Sequence, residues 1–163
     1  MHLLREPLVL HGELEYGGHD RLGKRVEAPF REITTIGNGV VRVEREGRAA
    51  REISLDRVPA LAALLGGFSA LLGGDAATLA SRYVLDVKLG ADTWTLTLRP
   101  RDAELARHLR EIVVDGRDRE PACFALEETS GDASVLLLGE LAAVPLAHPT
   151  RAQLTVLCRR VGS

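Results

Sequence analysis

Residues 58–74 read VPALAALLGGFSALLGG, the longest run without a charged side chain in a sequence in which 27% of the residues are charged. A transmembrane helix needs about 20 consecutive apolar residues. This run is shorter, contains Pro59, and is interrupted by Gly66-Gly67 and Gly73-Gly74, which lower helix stability. We therefore expect a series of short helices here, and the rest of the chain is expected to be organised around them.

Three short helices are expected in and just after this run. The first begins with Asp56 as its N-cap and ends at Gly66-Gly67, and the second ends at Gly73-Gly74. Asp75 is placed to cap a third helix over residues 77–83. The helices are expected either as one side of an ordinary core or as a lid over an apolar cavity. A lid is considered because alanine, glycine and serine separate the large side chains, which makes the packing of the helices shallow.

Alternation of apolar and polar residues predicts about ten strands around these helices. Five strands joined by short turns precede the helices, at residues 8–16, 22–28, 30–36, 40–46 and 48–55. Five more follow, at residues 84–88, 93–99, 112–115, 122–128 and 134–138. The turn Gly37-Asn38-Gly39 suits a tight hairpin, and Asp102 is placed to cap a short helix after the seventh strand. Residues 141–163 fit either a last strand or a helix.

An antiparallel sheet of this many strands curls or closes, because closure removes exposed edges. We therefore predict an α+β fold that is mainly β: an incomplete, half-open antiparallel β-barrel of about ten strands, with short lid helices on its concave side. The chain fits one domain, residues 1–163, in which the helices form an insert at about residues 56–83.

Charge and cysteine content argue against several classes of function. The 21 basic and 23 acidic residues are mixed along the chain, so no basic surface for nucleic acid is expected. Cys123 and Cys158 lack the spacing of a zinc site or a thioredoxin-type redox motif. They are expected as two buried free thiols, and a single disulfide is the alternative that their Cα separation would decide. The opening residues MHLLREPLVL lack the pattern of a secretory signal, which by itself indicates the cytoplasm.

Catalytic and metal-binding motifs are absent from the sequence. It contains no G-x-S-x-G, H-E-x-x-H, phosphate-binding G-x-x-x-x-G-K-[ST] or dinucleotide-binding G-x-G-x-x-G pattern, and its five histidines have no ligand spacing. The adjacent carboxylates Glu127 and Glu128 would face opposite sides of a strand. We therefore expect no enzyme activity, no catalytic residues, no metal and no cofactor.

The order of these features resembles a known protein family. Three segments carry the resemblance: G-E-L-E-Y at residues 12–16, I-G-N-G-V-V at 36–41 and W-T-L-T-L-R-P at 94–100. The apolar helical insert lies between the last two. This order is similar to that of the LolA-like outer-membrane lipoprotein carriers. The resemblance covers about residues 4–138. It implies an unclosed barrel with a helical lid, an apolar cavity that accepts acyl chains, no covalent chemistry, and a periplasmic location. It also implies a lid-locking arginine after the first long strand, for which Arg21 is the candidate and His19 a weaker one.

For such a carrier, the cavity needs flexible apolar side chains from the strands and from the lid. The candidate set is Leu14, Tyr16, Val41, Val43, Leu61, Leu65, Phe68, Leu71, Leu72, Leu79, Trp94, Leu96, Leu98, Phe124 and Leu126. Aliphatic residues dominate this set, which suits flexible alkyl chains better than planar rings. Each member is equally expected in an ordinary core, because one face of any barrel is apolar.

The expected function is that of a periplasmic carrier that binds the acyl chains of lipoproteins, or other lipids, and passes them towards the outer membrane. Its partners would be the lipid cargo, an inner-membrane donor protein and an outer-membrane acceptor protein, and the chain is expected to be monomeric. Two alternatives remain. One is a protein-interaction module that docks a partner through its apolar helices. The other is an outer-membrane receptor-type relative of the same fold.

Overall fold

The computed structural model describes residues 8–18 and 21–160 of the chain. Within these residues it contains ten β-strands, four α-helices and two short 3-10 helices. The strands pair into two five-stranded antiparallel sheets, one in each of two compact units, residues 9–81 and residues 82–160. The predicted α+β, mainly β fold with ten antiparallel strands is confirmed, and the described strand pairing leaves both sheets open, as an incomplete barrel requires. None of the helices in these residues reaches the length and apolar character of a membrane span.

The first unit is a meander whose strands lie next to one another in chain order. Its strands are β1 His11–Tyr16, β2 Leu22–Ala28, β3 Glu32–Gly37, β4 Val40–Arg45 and β5 Arg51–Ser54. The β3–β4 turn holds Asn38 and Gly39 at φ 52° and 72°, the positive values that a two-residue hairpin turn requires. The predicted meander and tight turn are confirmed, although β5 starts later than the alternation indicated because residues 46–50 form its turn.

The two faces of this sheet differ in polarity. On one face Arg42 donates to Glu52 of the neighbouring strand at 2.8 Å and also bonds Glu44, and Arg25 pairs with Glu13. The opposite face carries most of the apolar side chains. They are Leu14, Tyr16, Leu22, Val26, Ile36, Val41, Val43 and Ile53. The two-residue alternation in the sequence therefore separates charged from apolar side chains, as expected for a half-buried sheet.

The apolar run forms one helix, α1 Pro59–Leu72, and not two. The prediction that Gly66-Gly67 ends a helix is wrong, because α1 passes through both glycines and Gly67 is buried. A glycine pair costs about 1–2 kcal/mol of helix stability, and the packing of the apolar residues on both sides offsets that cost. The prediction that Asp56 caps this helix is also wrong, because Asp56 lies in a separate 3-10 turn, Leu55–Arg57.

A second helix, α2 Ala76–Arg82, follows the turn at Gly73-Gly74, and its predicted cap is confirmed. The Asp75 carboxylate accepts hydrogen bonds from the Thr78 backbone N–H at 3.0 Å and from the Thr78 hydroxyl at 2.6 Å. The bond from the hydroxyl, and then that from the N–H, lower the pKa of Asp75 below its ordinary value. Tyr83, expected in this helix, is instead the first residue of the next strand.

The second unit is also a meander in chain order. Its strands are β6 Tyr83–Leu89, β7 Thr93–Pro100, β8 Leu109–Arg117, β9 Glu120–Glu128 and β10 Ala133–Leu137. A short helix, α3 Ala103–Ala106, follows β7, and its predicted cap is confirmed because Asp102 accepts a hydrogen bond from the Leu105 N–H at 2.8 Å. Strand register places the apolar side chains on one face. They include Leu85, Val87, Leu89, Trp94, Leu96, Leu98, Ile112, Val114, Phe124, Leu126 and Leu136.

The other face of the second sheet is joined to a C-terminal helix, α4 Arg151–Arg160. Cys123 on β9 forms a disulfide with Cys158 on α4, across a Cα separation of 5.7 Å. The prediction of two free thiols is therefore wrong: the pairing depends on where a helix packs on the sheet, which the spacing of 35 residues does not reveal. An ion pair between Arg151 and Glu127 ties the start of the helix to the same face.

Candidate functional site

One row of side chains crosses the apolar face of the first sheet from edge to edge. Strand register aligns five residues in this row, one from each strand: Tyr16, Leu22, Ile36, Val41 and Ile53. Because edge strands β1 and β5 supply its two ends, the row runs perpendicular to the strands. It is the most continuous apolar surface in this unit, since the next row contains Lys24 and Arg51.

Helix α1 crosses the sheet along this row. It starts beside β5, where the Leu55 N–H donates to the Gly39 carbonyl at 2.8 Å just before the helix begins. It ends beside β1, where a Cβ on Gly73 would lie 2.6 Å from the Tyr16 hydroxyl oxygen. Its 14 residues give a length of about 21 Å, close to the roughly 19 Å that separate the outer strands of a five-stranded sheet. The helix therefore reaches from one edge of the sheet to the other on the side of Tyr16.

The helix covers this face incompletely. Val41, at the centre of the row, is 6% exposed, whereas Ile53 and Tyr16 at its ends are 39% and 37% exposed. Leu14, two residues before Tyr16 on the same face of β1, is 47% exposed. The helix itself carries no charged residue. Apolar surface on the sheet and on the helix is therefore left partly open to solvent, as a site for an apolar ligand requires.

The second sheet presents a more completely buried apolar face. Its centre is formed by residues with at most 1% exposure: Leu98, Ile112, Val114 and Phe124. Trp94 is half-buried on β7, where its indole covers Gly116 of β8 and donates from Nε1 to the Asp118 carbonyl at 3.1 Å. Leu89, at the β6–β7 turn, is 80% exposed. The centre of this face therefore has the packing of an ordinary core, and its turn end is open.

Tyr83 is a polar side chain on this apolar face. It begins β6, pairs with Pro100 on β7, and is 1% exposed. Its hydroxyl has no hydrogen-bond partner in the part of the chain that the structure describes. Burial raises the pKa of the Tyr83 phenol above its ordinary value, against the opposing effect of the Arg82 charge.

The structure brings the predicted cavity residues together in two groups, one in each unit. The group in residues 9–81 consists of strand residues on the apolar face, five half-buried residues of α1 and one buried residue of α2. These are Leu14, Tyr16, Val41 and Val43 on the sheet, Leu61, Leu65, Phe68, Leu71 and Leu72 on α1, and Leu79 on α2. In residues 82–160, the group on β7 and β9 is Trp94, Leu96, Leu98, Phe124 and Leu126. A role in binding stays a prediction for every member of both groups.

The predicted set omitted Leu22, Ile36 and Ile53 of the first sheet and Ile112, Val114 and Tyr83 of the second. The signal for part of them was present in the sequence. A two-residue turn at Asn38-Gly39 fixes the pairing of Ile36 with Val41. Because side chains alternate between the two faces of a sheet, every second residue from this pair along each strand then lies on the same face as Ile36 and Val41.

Arg21 lies directly after the β1–β2 turn and is exposed. Its backbone N–H donates to the Gly18 carbonyl at 3.0 Å, and its carbonyl accepts from the Gly17 N–H at 2.9 Å, so the backbone here is fixed by the turn. Its role in locking a lid stays a prediction. His19, the weaker candidate, lies outside the described residues.

An open depression of about 850 Å³ lies near the other end of the first sheet, around the β2–β3 and β4–β5 turns. Four arginines and four glutamates are among its lining residues, and none of the predicted cavity residues is. Its mixed charge makes it a polar surface and not an apolar binding site. Elsewhere in the described ranges, no group of three or more His, Cys, Asp or Glu side chains is arranged to hold a metal ion.

Comparison with known proteins identifies one family. The family model described as outer membrane lipoprotein carrier protein LolA-like matches residues 1–161, which is nearly the whole chain. A search of curated proteins found no match.

Proposed function

The chain belongs to the family of LolA-like outer membrane lipoprotein carrier proteins, and from this premise we propose that it is a non-catalytic periplasmic carrier. Its cargo would be the acyl chains of lipoproteins or other lipids, held against the apolar sheet face that α1 crosses. It would take this cargo from a donor protein at the inner membrane and pass it to an acceptor protein at the outer membrane, acting as a monomer.

The observation that carries the proposal is the position of α1. This uncharged helix spans the apolar face of the first sheet from β5 to β1, while Leu14 and the ends of the row beneath it stay 37–47% exposed. Contiguous apolar surface left open on both a sheet and a helix is typical of a site that a ligand or a partner covers. Burial of each CH₂ of an acyl chain contributes roughly 0.8 kcal/mol, so a partly covered chain supplies several kcal/mol.

The composition of α1 suits a lid. Alanine, glycine and serine make up half of its 14 residues, so that few large side chains tie it to the sheet. An element with few buried contacts opens at a low free-energy cost. Cargo binding would exchange the contacts between α1 and the sheet for contacts with the acyl chain, which needs no covalent step.

The disulfide supports the periplasmic location. Cys123 and Cys158 are bonded to each other, and structural disulfides form and persist in oxidising compartments such as the bacterial periplasm. In the reducing cytoplasm the same pair would be expected as thiols.

Equilibrium binding of a fluorescent long-chain acyl ester tests the proposal. Wild-type protein should take it up saturably, and Leu65→Glu and Leu72→Glu should lose uptake because each places a carboxylate on α1 where the acyl chain would lie. Thr35→Glu is the matched control, since Thr35 lies on the charged face of the same sheet, opposite Arg42. Uptake that is absent from folded wild-type protein, or unchanged in both α1 variants, would contradict the proposal. Concentration-dependent self-association without lipid would favour the interaction-module alternative.

A further inference from the structure

We propose that Arg45 and Arg51 bind the phosphate headgroup of a lipid whose alkyl chain lies on the apolar face of the first sheet. The inference rests on the proposed function and deepens it, because it names a class of cargo. The apolar row beneath α1 would hold the chain, and the two arginines would hold the anionic head.

Charged side chains on this face are confined to one end. Register places Lys24, Glu32, Arg45 and Arg51 on the same face as Val41, and no other Lys, Arg, Asp or Glu of β1–β5 shares that face. All four lie on the side of the apolar row that faces away from the β3–β4 turn. Three of them are basic and one is acidic, so this end of the face carries a net positive charge.

The single acidic group does not neutralise the arginines. Glu32 lies directly across from Arg45, but its carboxylate pairs with Lys24 at 3.6 Å. Among the described residues, neither Arg45 nor Arg51 lies within ion-pair distance of a carboxylate. Because Arg51 pairs with Val43, the two arginines are diagonal neighbours on adjacent strands, about 7–8 Å apart at Cα. Two like charges this close repel each other, and an anion between them would remove the repulsion.

The Arg45 guanidinium has its donors available and has space beside it. Its Cζ lies over the Phe30 ring, 3.6 Å from the ring centre. This stacking uses the flat face of the guanidinium and leaves the N–H groups at its edge able to bind an anion. Arg45 also lines the open depression of about 850 Å³ at this end of the sheet. Of the other glutamates in that depression, Glu27 and Glu44 alternate onto the opposite face and Glu46 follows β4.

The spacing along the strands suits a lipid with a charged head. Arg51 is two residues along β5 from Ile53 of the apolar row, and Arg45 is four residues along β4 from Val41, which corresponds to about 7 Å and 14 Å. The head of an alkyl chain that lies beside α1 would therefore be within reach of both arginines. A phosphate has more acceptor oxygens than a carboxylate, so each guanidinium can form its own pair of hydrogen bonds with it.

Displacement of a neutral fluorescent acyl ester from the full chain tests this inference. The competitors are dodecyl phosphate and dodecanol, which have the same alkyl chain and differ in the phosphate. Wild-type protein should prefer dodecyl phosphate by about tenfold or more, as expected for hydrogen bonds between charged groups. Arg45→Gln/Arg51→Gln should lose this preference and keep its affinity for dodecanol. Arg25→Gln/Arg42→Gln is the matched control, because it removes the same charge from the opposite face of the sheet.

The outcomes separate this inference from the proposed function. If the two competitors do not differ on wild-type protein, if Arg45→Gln/Arg51→Gln keeps the preference, or if the control loses as much of it, the carrier proposal stands and the arginine site is overturned. If neither the probe nor either competitor binds folded wild-type protein, the carrier proposal fails and this inference fails with it. Inorganic phosphate alone should not compete with dodecyl phosphate; equal competition would mean a site for free phosphate and not for a lipid.

Phosphorus NMR of bound dodecyl phosphate reports the contact directly. Cations beside the phosphate favour its doubly charged form, so its second ionisation should occur at lower pH on wild-type protein than on Arg51→Gln. Arg51→Gln changes one exposed residue and keeps the contact between Arg45 and Phe30, so the fold should be retained. Equal titration of the phosphate on the two proteins would overturn the inference.

Discussion

The hydroxyl oxygen of Tyr16, at the end of β1, lies 2.6 Å from the point that a Cβ on Gly73 would occupy at the end of α1. The glycine lets the tyrosine approach the last turn of the helix. This contact fixes the far end of α1 at the opposite edge of the sheet from its start, and so defines how the helix crosses the apolar face.

Gly73→Ala should loosen this end of α1. The new Cβ would displace the Tyr16 hydroxyl, which lies at the end of a flexible side chain and can move away. Because Gly73 has a helical φ of −81°, alanine also restricts the unfolded chain, and the free energy of unfolding should change by less than about 1 kcal/mol. Hydrogen exchange of the last turn of α1 should nevertheless accelerate. Gly37→Ala is the matched control, because its Cβ would meet no atom within 4 Å; equal exchange in both variants would contradict the contact between Tyr16 and Gly73.

Leu14→Glu should separate binding from stability. Leu14 is 47% exposed, so the substitution should lower the free energy of unfolding by no more than about 1 kcal/mol. A carboxylate on the apolar face should reduce acyl-ester affinity at least tenfold, because the ligand would bury it. Chemical denaturation and acyl-probe titration measure the two effects. Thr35→Glu, on the charged face, should change neither by a comparable amount, and a Leu14→Glu protein with wild-type affinity would exclude this face as the site.

Gly116→Ala should destabilise the second sheet. Its Cβ would overlap the Trp94 ring and lie 2.7 Å from the Glu120 carbonyl oxygen, which belongs to the backbone and cannot rotate away. Overpacking of this kind costs roughly 1–3 kcal/mol. Trp94 is the single tryptophan in the chain, so denaturation followed by its fluorescence reports the loss, and its emission should move to longer wavelength. Wild-type stability with unchanged emission would mean that the indole does not lie on Gly116.

Loss of the disulfide should release α4 from the second sheet. The bond links residues 35 apart, and a disulfide closing a loop of this size contributes about 2–4 kcal/mol. The double variant Cys123→Ala/Cys158→Ala should unfold at lower denaturant concentration, and trypsin should cut α4 faster at its arginines. The ion pair between Arg151 and Glu127 would be the main remaining tie at the helix start. If reductant leaves the stability of the wild-type protein unchanged, the two cysteines are not bonded in solution.

The cap of α2 should respond to acid. The Thr78 hydrogen bonds lower the folded-state pKa of Asp75. The cap's contribution is therefore complete above the ordinary aspartate pKa of about 4, and is lost as the pH falls through the lowered folded value. Asp75→Ala should remove it at every pH, with faster exchange of the Thr78 amide proton at neutral pH. Asp56→Ala, which has no capping bond to lose, is the control; slow Thr78 exchange in Asp75→Ala would contradict the cap.

The strands were predictable because their signal is local. Alternation of apolar and polar residues over a few positions predicts all ten strands. Asp75 and Asp102 predict the starts of the helices that they cap. Periodicity does not decide between a strand and a helix for residues 141–163, but the start of α4 carries a capping box. The Thr150 N–H donates to Gln153 Oε1 at 2.8 Å, and the Gln153 N–H donates to Thr150 Oγ1 at 3.2 Å. The spacing of Thr150 and Gln153 favours a helix over a strand.

Other features depend on packing and were missed. Gly66-Gly67 has the local signature of a helix end, yet Gly67 is buried inside α1, where packing on both sides outweighs propensity. The bond between Cys123 and Cys158 depends on the placement of α4 on β9. The local pattern predicts Tyr83 at the end of a helix, whereas pairing with Pro100 places it on the apolar face of the second sheet. The division of the candidate cavity residues into two groups, one in each unit, depends on which strands pair, and local alternation does not give that pairing.

Native mass spectrometry with a matched pair of peptides would show whether this chain carries acylated cargo. One peptide carries a diacylglyceryl group, and the other has the same sequence without it. We expect a complex of one chain with one acylated peptide, none with the unacylated peptide, and loss of the complex in Leu65→Glu. Absence of any complex with the acylated peptide, or equal binding of both peptides by folded wild-type protein, would mean that the chain does not carry acylated cargo.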